Sequence, residues 1–218
     1  MQNRPAKIYP TIESIVKQET DVAVEKISQP PYGTGICGGS SVVHITKQLQ
    51  SNTANSQNPF NNPHTLRSAS LLQHHCNGYQ MCFIDKLDEN FPREQPKKNE
   101  SLMSRYETND TRTEIEKIKE KLTDKIQHTK EDEISRGIFI RTNISRNPNN
   151  GEKYQGGHAL SMTVQKVENE FFCTAMDTNF FFASAKGEAG CNKIAEKMAD
   201  TLAAYKASYI GTYTVKKR

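Results

Sequence analysis

From residue 112 to residue 128, RTEIEKIKEKLTDKIQH, apolar positions recur at three- and four-residue steps. Ile115, Ile118, Leu122 and Ile126 make one stripe with charge on the other faces, which predicts a surface helix docked by one edge. The stretch EAGCNKIAEKMADTLAAYKA (188–207) repeats the pattern, with Ile194, Met198, Leu202 and Tyr205 on one side. Shorter helices are predicted over about 37–49 and 64–76, the latter carrying Leu66, Leu71 and Leu72. From residue 137 the period changes. GIFIRTN (137–143), HALSMTVQKV (158–167), EFFCTAMD (170–177) and SYIGTYTVK (208–216) are predicted strands, and NPNNG (147–151) is a turn between the first two.

Helices in the first half, an antiparallel sheet in the second and one late helix make an α+β chain. Residues 1–30 are polar and close on Gln29-Pro30-Pro31, so they are set apart as a partly mobile leader whose helix-like part is TIESIVKQE (11–19). Residues 31–218 form the domain. SNTANSQNPFNNP (51–63) is a loop by composition, and the charged 85–110 region, broken by Pro92 and Pro96, is expected to be irregular. There is no internal repeat.

Composition narrows the function classes. The chain has 218 residues, 34% hydrophobic and 25% charged, with mean hydropathy −0.77. A net charge of +4, spread with both signs along the chain, is too small an excess to argue for nucleic acid. RTNISR (141–146), the nearest thing to a basic patch, is read as a solvated strand and loop. The N-terminus lacks the apolar core of a signal peptide, and no stretch approaches the ~18 apolar residues of a membrane span. Five cysteines (37, 76, 82, 173, 191) at irregular spacing predict reduced thiols and a cytosolic working place, with export by a signal-independent route left open. His74-His75-Cys76 with Cys82 matches no standard zinc spacing. Cys82, Cys173 and Cys191 are read as core fillers, and core packing is the simplest reading of Phe180-Phe181-Phe182.

One cysteine stands apart. GTGICGGSSVVHI (33–45) sets Cys37 among glycines at the start of a predicted helix. A helix N-terminus and a nearby imidazolium both favour the thiolate, which is the nucleophilic form. Glycines cost about 1 kcal/mol each in a helical turn, so Gly38 and Gly39 imply a steric reason, read here, with Gly35, as room for a carbonyl substrate. His44, seven residues on, cannot easily reach the sulfur, and His128 sits at the solvated end of a helix. His158 follows Gly156-Gly157 and opens a strand. If Glu168-Asn169 is a two-residue hairpin loop, Val167 faces Glu170, Leu160 faces Asp177 and His158 faces Asn179. His158 and Asp177 are then diagonal neighbours on one face, ~7–8 Å apart at the backbone and within side-chain reach. Asp177 could hold and charge-stabilise the imidazole, or simply cap the turn before Thr178-Asn179.

Gly35-Ile36-Cys37-Gly38-Gly39-Ser40, Gly157-His158-Ala159 and Met176-Asp177-Thr178-Asn179-Phe180 resemble, in order, the three motif blocks of the YopT/AvrPphB-type cysteine proteases, papain-like effectors that bacteria inject into host cells. The resemblance covers about residues 33–45 and 155–183, and the 121-residue gap from Cys37 to His158 is of the family's size. Thr178 stands where the family tends to have proline and Phe181 where it tends to have glycine. The tryptophan often found along the nucleophile helix is absent. The resemblance implies a papain-like fold and peptide hydrolysis with Cys37 as nucleophile, His158 as base and acid, and Asp177 orienting it. It implies no metal or organic cofactor. It implies a monomer that is secreted without a cleavable leader and cuts a host signalling protein in the host cytosol. Gln29 is the nearest upstream amide for an oxyanion site, but it lies further from the cysteine than is usual. The same three residues would serve deamidation, transglutamination or another acyl transfer; a non-catalytic binding module with Cys37 buried is the alternative of another class.

Overall fold

The computed structural model describes residues 22–26, 35–51, 57–94, 100–103, 112–131, 134–146 and 153–217. The expected helix at 11–19, the turn at 147–151 and Gln29 lie outside them. The helices are α1 (Cys37–Gln50), α2 (Pro63–Cys76), α3 (Gln80–Asp88), α4 (Arg112–Gln127) and α5 (Gly187–Ala204). The strands are β1 (Val22–Lys26), β2 (Glu100–Met103), β3 (Arg136–Arg146), β4 (Lys153–Val167), β5 (Glu170–Asp177), β6 (Phe181–Lys186) and β7 (Ala207–Lys216). They form one sheet, antiparallel at every pairing, in the order β1-β6-β5-β4-β3-β7-β2. The α+β class holds.

Alternation along the strands decides which helices cover which face. Ile138, Ile140, Leu160, Met162, Val164, Cys173 and Ala175 point to one side, where α4 supplies Ile118, Leu122 and Ile126 and α5 supplies Ile194, Met198 and Leu202. Phe139, Ala159 and Val215 point to the other, where they meet Val42, Ile45 and Leu49 of α1 and Phe83, Ile84 and Leu87 of α3. The sheet is therefore a middle layer. The β4–β5 hairpin turns at Glu168 (φ 51) and Asn169 (φ 65), both left-handed, the geometry of a two-residue loop that matches strand twist. Val167 pairs with Glu170, and the same register continues to Ser161 against Met176.

Two elements depart from the sequence reading. VAVEK, within the polar leader segment, forms the edge strand β1 against β6. The aromatic triple packs in the core as read; β6 opens at Phe181, and its first two residues point to opposite faces, Phe181 into the α4/α5 core and Phe182 against Phe60, Ala69 and Met176. The region 85–110, expected to be irregular, contains the end of α3 and all of β2.

The reduced-thiol expectation is corrected at one pair: Cys76 and Cys82 form a disulfide. Asn77 (φ 46) and Gly78 (φ 74) reverse the chain between α2 and α3 and bring the two Cα atoms to 5.4 Å, within bridging range. Cys37, Cys173 and Cys191 are free, so an odd total conceals one bond.

Candidate active site

α1 starts at Cys37. Its first intrahelical bond runs from the Ser40 N–H to the Ile36 carbonyl, 2.9 Å. The N-cap residue, Ile36, offers no capping side chain, and the first turn holds no acid. The first amides of a helix have no partner within it, and together with the helix dipole they favour an anion at this position.

The helix is pinned to the sheet by a buried histidine. His44 Nδ1 lies 2.8 Å from Ser161 Oγ and Nε2 2.9 Å from Thr174 Oγ1, with the ring edge-on to Phe182 at 5.7 Å. Burial lowers its pKa to about 3, so a neutral imidazole bridges two hydroxyls. Its role is to set the height of α1 over β4 and β5.

The glycines after Cys37 have a different purpose from the one expected. A Cβ at Gly38 would press on the tip of the Phe83 ring, and one at Gly39 would overlap the backbone carbonyl of Ala69 in α2. The Gly39 N–H also donates to Gln73 Oε1, 3.0 Å. Close helix packing, rather than room for a substrate, excludes side chains at both positions; Gly35 alone opens on empty space. Gly39→Ala is therefore expected to destabilise the fold by about 1–3 kcal/mol, because backbone cannot yield, despite the ~1 kcal/mol gained in helix propensity. Gly38→Ala should cost less, since an aromatic ring tip can shift. Urea unfolding of both variants measures the difference.

The sheet brings the other two candidates to the same end of the molecule. His158 and Asp177 are both buried. His158 Nε2 donates to Asp177 Oδ1 over 2.9 Å, the diagonal contact that the hairpin register requires. Asp177 Oδ1 also accepts the Asn179 N–H at 2.8 Å, and Oδ2 accepts the Tyr205 hydroxyl at 2.6 Å. Since the tyrosine proton goes to the carboxylate, its oxygen, 3.2 Å from His158 Nε2, is left as an acceptor for that same N–H. The Tyr205 and His158 rings are tilted together at 4.9 Å.

With Nε2 turned to Asp177, Nδ1 is the imidazole nitrogen left for the sulfur. Cys37 hydrogen-bonds His158 and takes the backbone N–H of Ala159. Burial works to raise the thiol pKa, but the His158 hydrogen bond and charge and the Ala159 amide outweigh it and lower the pKa below the ordinary value. Burial likewise works to lower the His158 pKa, and the Asp177 charge and hydrogen bond, reinforced by Cys37, push it up to about 10. The two directions agree. At neutral pH the arrangement favours a thiolate–imidazolium pair whose cation is anchored by a carboxylate, and such a pair can deliver a nucleophile and a proton to one carbonyl group.

No protein-family model and no curated protein matches the chain. Among solved structures, the crystal structure of the Pseudomonas avirulence protein AvrPphB matches 83% of this chain and 91% of its own, with TM-score 0.49 and 9% identity. A likeness at that level carries no chemistry across, and the site stands on its own geometry.

Tyr205 is the member that sequence reasoning missed. Its spacing places it on the core side of the last helix. That its hydroxyl meets Asp177 depends on how α5 ends against the sheet, and no motif records that.

Proposed function

We propose that the chain is a papain-like cysteine endopeptidase with its protease domain in residues 31–218, and that it hydrolyses a peptide bond in a protein substrate. The observation that carries the reading is the convergence of Cys37, His158 and Asp177 with the thiol pKa lowered and the imidazole pKa raised. The Cys37 thiolate attacks the scissile carbonyl carbon, and the resulting oxyanion is met by the Cys37 backbone N–H at the α1 N-terminus, the Gly39 N–H being held by Gln73. The His158 imidazolium passes a proton to the departing amine as the C–N bond breaks, leaving a thioester. His158, now neutral, takes a proton from water, whose oxygen displaces the sulfur. Asp177 holds the ring throughout, and Tyr205 holds Asp177. The motif resemblance extends the proposal to a monomeric effector delivered without a cleavable leader that acts on a host signalling protein in the host cytosol. No described helix is long and apolar enough to cross a membrane.

Iodoacetamide tests the central step. Cys37 is expected to alkylate at neutral pH well ahead of Cys173 and Cys191, which are buried. Its rate should follow thiolate formation, with the half-maximum below the ordinary thiol range. In His158→Ala only burial and the weaker helix and amide effects remain, so the half-maximum should move upward. A Cys37 profile like that of a simple exposed thiol, unmoved by His158→Ala, would falsify the proposal.

A further inference from the structure

On the sheet face where α1 begins, a guanidinium stands without a carboxylate. Arg141 on β3 is paired with Ala159 of β4 on one side and Gly211 of β7 on the other. Ala159 supplies the backbone N–H that bonds the Cys37 sulfur, and opposed residues share a sheet face. Arg141 therefore projects on the face where α1 begins, one strand spacing, about 4.8 Å, from the strand that carries His158. Its Nη1 donates to Gln80 Oε1, and Gln80 Nε2 donates to the Tyr213 hydroxyl. Gln80 opens α3, one turn before Phe83, the ring against which Gly38 packs.

Both members of this chain of bonds are neutral. Among the described residues no Asp or Glu pairs with Arg141, whereas Arg136 meets Glu94 at 2.5 Å and Arg93 meets Asp88 at 2.7 Å. A guanidinium has five N–H donors, and Gln80 engages one group of its fork. The half-buried cation is thus positioned but not neutralised. Its flanking partners on both strands, alanine and glycine, put no large side chain of their own beside it. Tyr209, whose ring comes over Gly211, closes the far side.

The geometry points to Arg141 as a specificity-determining residue that receives the carboxylate of an aspartate or glutamate close to the scissile bond of the substrate. The inference rests on the peptidase reading above. Planar guanidinium and carboxylate groups match in a two-point, charge-assisted contact, and partial removal from water strengthens it. Gln80 presents the fork, and the Tyr213 hydroxyl holds Gln80.

Two measurements test this, and one needs no turnover. Alkylation of Cys37 by anionic iodoacetate is compared with alkylation by neutral iodoacetamide. Loss of a hydrogen-bonded charge contact changes a rate roughly tenfold, so Arg141→Gln should lower the iodoacetate-to-iodoacetamide ratio by about that factor while the iodoacetamide rate holds. Arg141→Lys should restore part of the ratio. A ratio that Arg141→Gln leaves unchanged overturns the subsite, whatever the chain hydrolyses. In the second, a proteome-derived peptide library is digested and the cut sites are read by mass spectrometry. Wild type should enrich Asp or Glu at one fixed position, Arg141→Gln should lose the enrichment, and Arg141→Glu should favour Lys or Arg there. Cleavage without acidic enrichment overturns the subsite and leaves the peptidase standing. No cleavage by wild type, with iodoacetate preference intact, overturns the peptidase and the peptide ligand together and keeps Arg141 as an anion site.

Discussion

Replacing Cys37 with alanine is expected to lower peptide hydrolysis by on the order of 10⁴-fold or more, since no other group can form the thioester. Cys173 and Cys191 are packed in the α4/α5 core, and Cys76 and Cys82 are bonded to each other. His158 and Asp177 would remain paired but would have no sulfur to ionise. The fold should survive: Cys37 is only partly buried at the first position of α1, where alanine is a good helix former. Urea unfolding of wild type and variant should give nearly coincident midpoints, and turnover should separate them completely. Serine at 37 should be equally inactive, because its hydroxyl does not ionise beside an imidazolium as a thiol does. An alanine variant that hydrolyses within a few-fold of wild type would remove Cys37 from the mechanism.

Asp177→Asn is expected to lower kcat by roughly 10³–10⁴-fold with little change in KM, the scale seen when the orienting carboxylate of a triad becomes an amide. The carboxylate accepts from three directions: His158 Nε2–H, the Asn179 N–H and the Tyr205 hydroxyl. An amide offers one acceptor oxygen and a donor NH2 group. If the oxygen keeps His158 and Asn179, the NH2 faces Tyr205, whose hydroxyl can rotate to accept, so the variant should still fold. The lost charge has no substitute. Burial already works to lower the His158 pKa, and without the carboxylate that tendency is opposed only by Cys37. Imidazole and thiol would then both be neutral near pH 7, and the half-maximum of Cys37 alkylation should shift to higher pH. Rate loss without that shift would mean Asp177 acts on something other than the ion pair.

The hairpin explains why so much of the site was visible beforehand. A two-residue loop at Glu168-Asn169 fixes the register by counting, and counting alone sets Asp177 diagonal to His158. The amphipathic stripes of α4 and α5 and the alternation of β3, β4, β5 and β7 follow from local period in the same way. What depended on the completed fold was less visible. VAVEK has strand residues but sits in a polar segment, and it becomes β1 only because β6 presents an edge. The aromatic triple reads as a core run until the strand divides its members between two faces. The disulfide needed the Asn77-Gly78 reversal, and the Tyr205 contact needed the end of α5 set against the β4–β5 hairpin. Gly38 and Gly39 were seen to matter, but only the neighbouring helices reveal why.

The proposed nucleophile, Cys37, stands at one end of a helix, and the couple proposed to activate it sits in a hairpin more than a hundred residues later. In an unfolded or half-synthesised chain that sulfur is an ordinary thiol, with no imidazole near enough to ionise it. On the proposed reading, the hydrolytic chemistry would be withheld until the β4–β5 hairpin is docked against α1, and the cell that makes the chain would be spared it while the polypeptide is unfolded.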